Sequence, residues 1–281
     1  MRQFKLSAFA DEYADSFEDQ LQGLGRFGIG SIEVRYLLGK NVSLLEKEEA
    51  KEAKRLLERY GVGVSAIGSP LGKIGLDGDI EAHLTVARRV FETARILETP
   101  FVRMFSFYAP KGESITDKRE EVLRVLERLV TLAREYGVVL CHENEAAIYG
   151  DVPLRCKELM RHFHGEMKCV FDMGNFVLEG VEPYPDAYTL LQEDIAYFHI
   201  KDALFAGAVV PAGKGEASIK EILSAHRAYA KEDFFVSLEP HLQTFSGLNA
   251  LVGRRFRNPY QYTDKQAAFA DAVTKFKELF E

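Results

Sequence analysis

Four segments decide the fold of this 281-residue chain: VVLCHENE at 138–145, CVFDMGN at 169–175, YFHIKD at 197–202 and FFVSLEPH at 234–241. Each opens as a short apolar run and reaches a residue able to bind a cation: Glu143, Asp172, His199 and Glu239. Short continuous apolar runs read as strands buried on both faces. If these strands are neighbours in a parallel barrel, all four side chains meet at one mouth, because barrel active sites gather at the C-terminal strand ends.

Outward from these segments the chain keeps one rhythm, a strand followed by a helix. The predicted strands are 4–9, 31–35, 63–69, 101–105, 138–143, 168–172, 196–201 and 234–239. The predicted helices are 15–27, 43–60, 79–97, 114–136, 153–163, 183–192, 218–229 and 263–280. Tyr60-Gly61 and Tyr136-Gly137 place glycine where a left-handed helix cap belongs. Eight alternations without a linker predict an α/β protein, a (β/α)₈ barrel, with residues 1–281 as one domain. An open doubly wound sheet is the weaker alternative, since SAFADEY follows the first strand where a glycine-rich dinucleotide loop would stand. The loops 203–217 and 240–262 exceed the usual βα length and read as lids or substrate walls on the active face.

The composition excludes several classes. With 36 Lys+Arg against 43 Asp+Glu the net charge is −7, which argues against nucleic acid as the main partner. No window has the ~18 continuous apolar residues of a membrane span, and the N-terminus lacks a signal-peptide pattern, so a cytoplasmic location is expected. Cys141, Cys156 and Cys169 are too few and too irregular for a disulfide framework, and read as buried packing residues.

The face alternation of a strand groups Cys141 with Glu143 and Glu145, His199 with Lys201, and Glu239 with His241. Three carboxylates and one imidazole suit Mn²⁺, Mg²⁺ or Co²⁺, with Zn²⁺ less favoured, because oxygen donors dominate. The first four units show little chemistry, so the expected site is lopsided toward the second half. Glu33 and Arg35 share a face of the second strand, where an internal Arg–Glu pair between strands explains them as well as substrate binding does. His142 and His83 read as helix-facing or surface residues. The basic run RRFR at 254–257 reads as a solvated loop or a phosphate contact, and the charged stretch 46–59 as a solvated helix face.

The motifs HENE, DMGN, HIKD, the turn GKGEAS at 213–218, and SLEP resemble those of the xylose-isomerase-like TIM barrels. That family includes sugar and sugar-phosphate isomerases and epimerases and, more distantly, apurinic endonucleases. The resemblance implies that Glu143, Asp172, His199 and Glu239 are the metal ligands. One departure is Asn175, where a His commonly stands; Asn can hydrogen-bond a substrate hydroxyl. The implied reaction is isomerisation or epimerisation of a small keto-sugar or related polyhydroxy carbonyl compound through a metal-stabilised cis-enediolate, with Glu143 and Glu239 as acid and base. Loss of a β-hydroxyl from the same intermediate would instead give a dehydratase of a keto-inositol or a dehydroshikimate-like acid. Abasic-site cleavage is less favoured, because strands 1 to 4 offer no histidine, and a non-catalytic barrel is the remaining alternative. Asn175, Lys201, His241, Glu145 and Arg103 are the candidate substrate contacts. Homo-oligomerisation is an expectation from resemblance to relatives that pair.

Overall fold

The computed structural model of the protein describes residues 2–243 and 259–281. Eight parallel strands close into a barrel in chain order: β1 (Phe4–Ala8), β2 (Ser31–Val34), β3 (Gly63–Ile67), β4 (Phe101–Met104), β5 (Val139–Glu143), β6 (Met167–Asp172), β7 (Ile195–Ile200) and β8 (Phe234–Leu238), which pairs back onto β1. The (β/α)₈ expectation holds. The helices between them are α1 (Phe17–Phe27), α2 (Lys47–Tyr60), α3 (Ile80–Ile96), α4 (Arg119–Tyr136), α5 (Pro153–Phe163), α6 (Met173–Leu178), α7 (Tyr188–Leu191), α8 (Ile219–Tyr229) and α9 (Lys265–Glu278). Gly61 and Gly137 take the left-handed cap conformation that their position after α2 and α4 requires.

One predicted helix is corrected. The stretch 183–192 does not form a single helix: Tyr184 is extended inside it, and regular α-structure is confined to α7. Pro183 and Pro185 explain the break, since proline removes a helical donor and biases the preceding residue to extended backbone. An extra short helix, α6, begins directly after β6, capped by the Asp172 side chain accepting from Asn175 N.

The strands are buried on both faces, as a barrel wrapped in helices demands. Inside, Ala66, Cys141, Val170 and Tyr197 form a small packed layer beneath the mouth. Outside, a larger cluster joins the strands to the helices, with Phe171 and Phe198 among its fully buried rings. The three cysteines are free and buried, as expected. Two register shifts interrupt the ladder: Ala196 is passed over between Cys169↔Ile195 and Val170↔Tyr197, and Ser65 between Ile32↔Val64 and Glu33↔Ala66. After β7 the chain forms a small hairpin, Asp202–Leu204 with Ala208–Val210. No helix of the described residues is long and apolar enough to cross a membrane. The RRFR run lies outside the described residues.

Candidate active site

The barrel brings all four strand-end residues together. Ligand atoms of Glu143, Asp172, His199 and Glu239 lie within 4.8 Å of one another, and all four side chains are buried. His199 Nδ1 is the centre of the group, 3.1 Å from Glu143 Oε1, 3.4 Å from Glu239 Oε2 and 4.0 Å from Asp172 Oδ2. Asn144 fixes the ends of two strands: its side chain donates to Asp172 O and accepts from Asp172 N, both at 2.9 Å. Asn175 Nδ2 donates to Asn144 O at 2.9 Å and lies 3.3 Å from Glu143 Oε1. Lys201 Nζ reaches Asp172 Oδ2 at 2.8 Å, Asn175 Oδ1 at 3.0 Å and Glu239 Oε2 at 3.1 Å.

The lopsided site expected from the sequence is corrected, because the first half supplies a second ring of charged groups. The Arg–Glu pair between strands expected for Arg35 is made with Glu239, and Glu33 faces other partners. It accepts from His199 Nε2 at 3.0 Å and from the Tyr197 hydroxyl at 2.9 Å. Arg35 donates to Asp11 at 2.9 and 3.1 Å, to Glu12 Oε1 at 3.3 Å and to Glu239 Oε1 at 2.8 Å. Arg103 Nη1 stands 3.1 Å from Glu143 Oε2 and 3.5 Å from Glu239 Oε1, and its Nη2 donates to Gly68 O at 3.1 Å. Phe9, at the end of β1, lies under both guanidinium groups, 4.2 and 5.1 Å from ring centre to Arg35 and Arg103, and packs edge-on against the His199 ring. Such contacts join strands far apart in sequence, and the buried ionic runs of DEY and EVR were their only trace.

The remaining candidates sit around this ring. His241 Nε2 is 3.5 Å from both Glu12 Oε1 and Glu239 Oε1, and its backbone N donates to Glu12 Oε2 at 2.8 Å. Glu145 pairs with Lys73 at 3.1 Å near the rim. His142 and His83 are both buried rather than on the surface. His142 faces away from the quartet, its Nε2 2.9 Å from Ser106 Oγ and its ring against Gly150, which has no room for a Cβ.

Electrostatics follow from crowding charges out of water. Burial pushes the Glu143 carboxyl up, but His199 and Arg103 outweigh it and hold it at about 2. Glu239 is likewise driven up by burial and then held well below the usual range by Lys201, His241 and His199. Asp172 is raised to about 7, because burial outweighs Lys201. Burial lowers His199, yet Glu33, Glu143 and Glu239 raise it well above its ordinary value. Burial holds His241 down at about 3.

These residues fit a divalent cation. The set offers three oxygens and one nitrogen, with no thiolate among them. Glu143 Oε2 has no aligned hydrogen bond despite its closeness to Arg103, so a buried acceptor is left for a further positive group. Glu33 at His199 Nε2 stands where a carboxylate would orient the imidazole of a metal-binding histidine, and it leaves Nδ1 facing Glu143, Asp172 and Glu239.

The profile of the family described as xylose isomerase-like TIM barrel matches residues 24–258. No curated protein matches the chain by sequence. Among solved structures, the probable 3-DHS dehydratase AsbF from Bacillus anthracis is 19% identical, with 98% of each chain covered and a TM-score of 0.72. D-psicose 3-epimerase with D-tagatose from Clostridium cellulolyticum H10 is 12% identical over 98% of each chain, with a TM-score of 0.75. A xylose isomerase-like TIM barrel protein from Mycobacterium smegmatis in complex with magnesium is 14% identical over 99% of this chain and 97% of that one, with a TM-score of 0.69. At these identities the likeness bears on the fold.

Proposed function

Because the chain belongs to the xylose isomerase-like TIM barrel family, we propose that it is a divalent-metal-dependent isomerase or epimerase of a small keto-sugar or related polyhydroxy carbonyl compound. The observation that supports this most is the convergence of three carboxylates on His199 Nδ1 at one end of the barrel. The epimerase and the magnesium complex among its structural relatives point the same way.

Glu143, Asp172, His199 and Glu239 would hold Mn²⁺, Mg²⁺ or Co²⁺, with Zn²⁺ less favoured. The cation would supply Lewis-acid polarisation of a substrate carbonyl, which lowers the cost of removing the proton beside it. Glu143 and Glu239 arrive from β5 and β8 and are ionised at neutral pH, the form a base needs. One accepts the proton, and the other returns one after taking up a proton from solvent. Return to the opposite face of the same carbon is epimerisation, and return to the neighbouring carbon is isomerisation. Arg103 and Arg35 keep both carboxylates in place. Lys201, Asn175 and His241 lie beside the quartet, where each can hold a substrate hydroxyl, and Glu145 borders the rim. Loss of a β-hydroxyl after the same deprotonation would make the protein a dehydratase, a reading the likeness to AsbF favours.

The test is metal analysis of the purified protein, followed by a proton-exchange screen over ketoses and keto-inositols in deuterated water. Exchange that disappears on chelation and returns with Mn²⁺ or Mg²⁺ is expected. An ultraviolet-absorbing enone would move the assignment to the dehydratase, and no exchange by the metal-loaded protein would overturn both.

A further inference from the structure

We propose that Arg35 determines how many cations the site accepts: its guanidinium holds the place of a second divalent ion against Glu239, so the barrel mouth takes up one metal and not two. The proposal rests on the reading above that Glu143, Asp172, His199 and Glu239 bind a divalent cation.

A second group of ligand atoms stands beside the quartet. Glu12, Glu239 and His241 are all buried, and one ligand atom from each lies within 4.8 Å of the others. His241 Nε2 is 3.5 Å from both Glu12 Oε1 and Glu239 Oε1. Glu239 belongs to both groups through different oxygens, since its Oε2 lies 3.4 Å from His199 Nδ1 while its Oε1 faces His241. A carboxylate with one oxygen in each group can bridge two ions, and two-metal centres hold their ions roughly 3.5–4 Å apart. By donor type alone, the described residues therefore offer places for two.

Arg35 takes up the oxygens that the second ion would need. Its Nη1 donates to Glu239 Oε1 at 2.8 Å and its Nη2 to Glu12 Oε1 at 3.3 Å, the same two oxygens that face His241. An ion bound to them would stand beside a fixed positive charge in a buried site, where like charges are weakly screened. The fork is held from its other side. Arg35 Nε and Nη2 donate to Asp11 at 2.9 and 3.1 Å, and the guanidinium carbon lies 4.2 Å from the centre of the Phe9 ring. Lys201 meets the quartet differently, as a single ammonium on a flexible stem. Besides Asp172 and Glu239 it reaches Asn175 Oδ1 at 3.0 Å, so it keeps a partner when an ion takes the two carboxylates. The rigid fork closes one group, and the adaptable ammonium leaves the other open.

The experiment is calorimetric Mn²⁺ titration of the metal-free protein under argon, with metal analysis and electron paramagnetic resonance of the loaded samples. It is run at about pH 8.5, above the value of about 8 to which burial raises Glu12, so that a proton on that carboxyl does not mask a site. The parent should bind one equivalent and give the spectrum of an isolated ion. Arg35→Met, which removes the charged fork, should bind two, with the exchange-coupled spectrum of neighbouring ions. Adding Glu12→Gln, which removes a ligand of the second group, should return the count to one. Arg35→Met deprives Asp11 of its buried partner, so Arg35→Met with Asp11→Asn takes the place of the single variant if that does not fold. Two coupled ions in the parent overturn the proposal, as does a single ion in the folded Arg35→Met or Arg35→Met, Asp11→Asn protein. A second ion that is uncoupled, or that survives Glu12→Gln, overturns it too. Failure of the parent to bind any Mn²⁺ overturns the metal reading itself, and the proposal with it.

Discussion

Glu33→Gln is the perturbation that reports most directly on how the site is built. Glu33 is 1% exposed, and its two oxygens accept from His199 Nε2 at 3.0 Å and from the Tyr197 hydroxyl at 2.9 Å. A carboxylate there accepts the Nε2 proton and leaves a lone pair on Nδ1, the atom that faces Glu143, Asp172 and Glu239. Glutamine keeps the volume but can donate instead, which reverses the tautomer and turns an N–H toward the three carboxylates. Loss of a partner of this kind typically costs about 10- to 100-fold in metal affinity, or about 1.4 to 2.8 kcal/mol. Tyr197→Phe, which removes only the group steadying Glu33, should cost less than about tenfold, since one neutral hydrogen bond contributes about 0.5–1.5 kcal/mol. The assay is calorimetric Mn²⁺ titration of the metal-free protein at fixed pH, with thermal melts to show that both variants are folded. A Glu33→Gln protein that is folded and binds Mn²⁺ within twofold of the parent refutes the reasoning.

Glu143→Gln, Asp172→Asn and Glu239→Gln should each abolish metal retention or proton exchange while leaving a cooperative melt; full activity in any one removes that residue from the proposed site. His226 is held by burial at about 4, below its ordinary 6.5, so its contribution to stability is complete above pH 6.5 and is lost as pH falls through about 4. Urea melts should show about 1–3 kcal/mol of that loss, and His226→Phe should flatten it. A Cβ on Gly174 would stand 2.7 Å from Lys201 O and 2.7 Å from its Cγ, so Gly174→Ala should destabilise by about 1–3 kcal/mol and disturb the lysine. A Gly174→Ala melt identical to the parent's would contradict that contact.

The sequence was most readable where one local rule settled the outcome. Apolar runs bounded by helical spacing revealed every barrel strand, and Glu143, Asp172, His199 and Glu239 stood out because a charge ending a buried strand has few structural excuses. Predicted helix 153–163 coincides with α5 because Pro153 starts it and its apolar face is regular. Helix α6 was hidden because Asp172 serves twice, as a candidate ligand and as the cap of that helix. The roles of Asp11, Glu12, Glu33 and Arg35 were not legible, since Glu33 meets His199 across 166 residues and Arg35 meets Glu239 across 204. Barrel closure alone brings such residues together. The expectation of an Arg–Glu pair between strands is met by Arg35 and Glu239, but the sequence did not name the partner.

The residue passed over in the β7 ladder is one that the pairing can spare. Ala196 shifts the pairing against β6, and only after it do Tyr197 and His199 fall opposite Val170 and Asp172. A strand exchanges its faces with every residue counted. Deleting this one small alanine would leave Ile195 opposite Cys169 and Tyr197 opposite Val170 with no bulge between them, so His199 would keep its place, whereas one residue added between Phe198 and His199 would turn the imidazole toward the outer layer. A lineage of this protein can therefore lose the codon for Ala196 more safely than it can gain one just before His199.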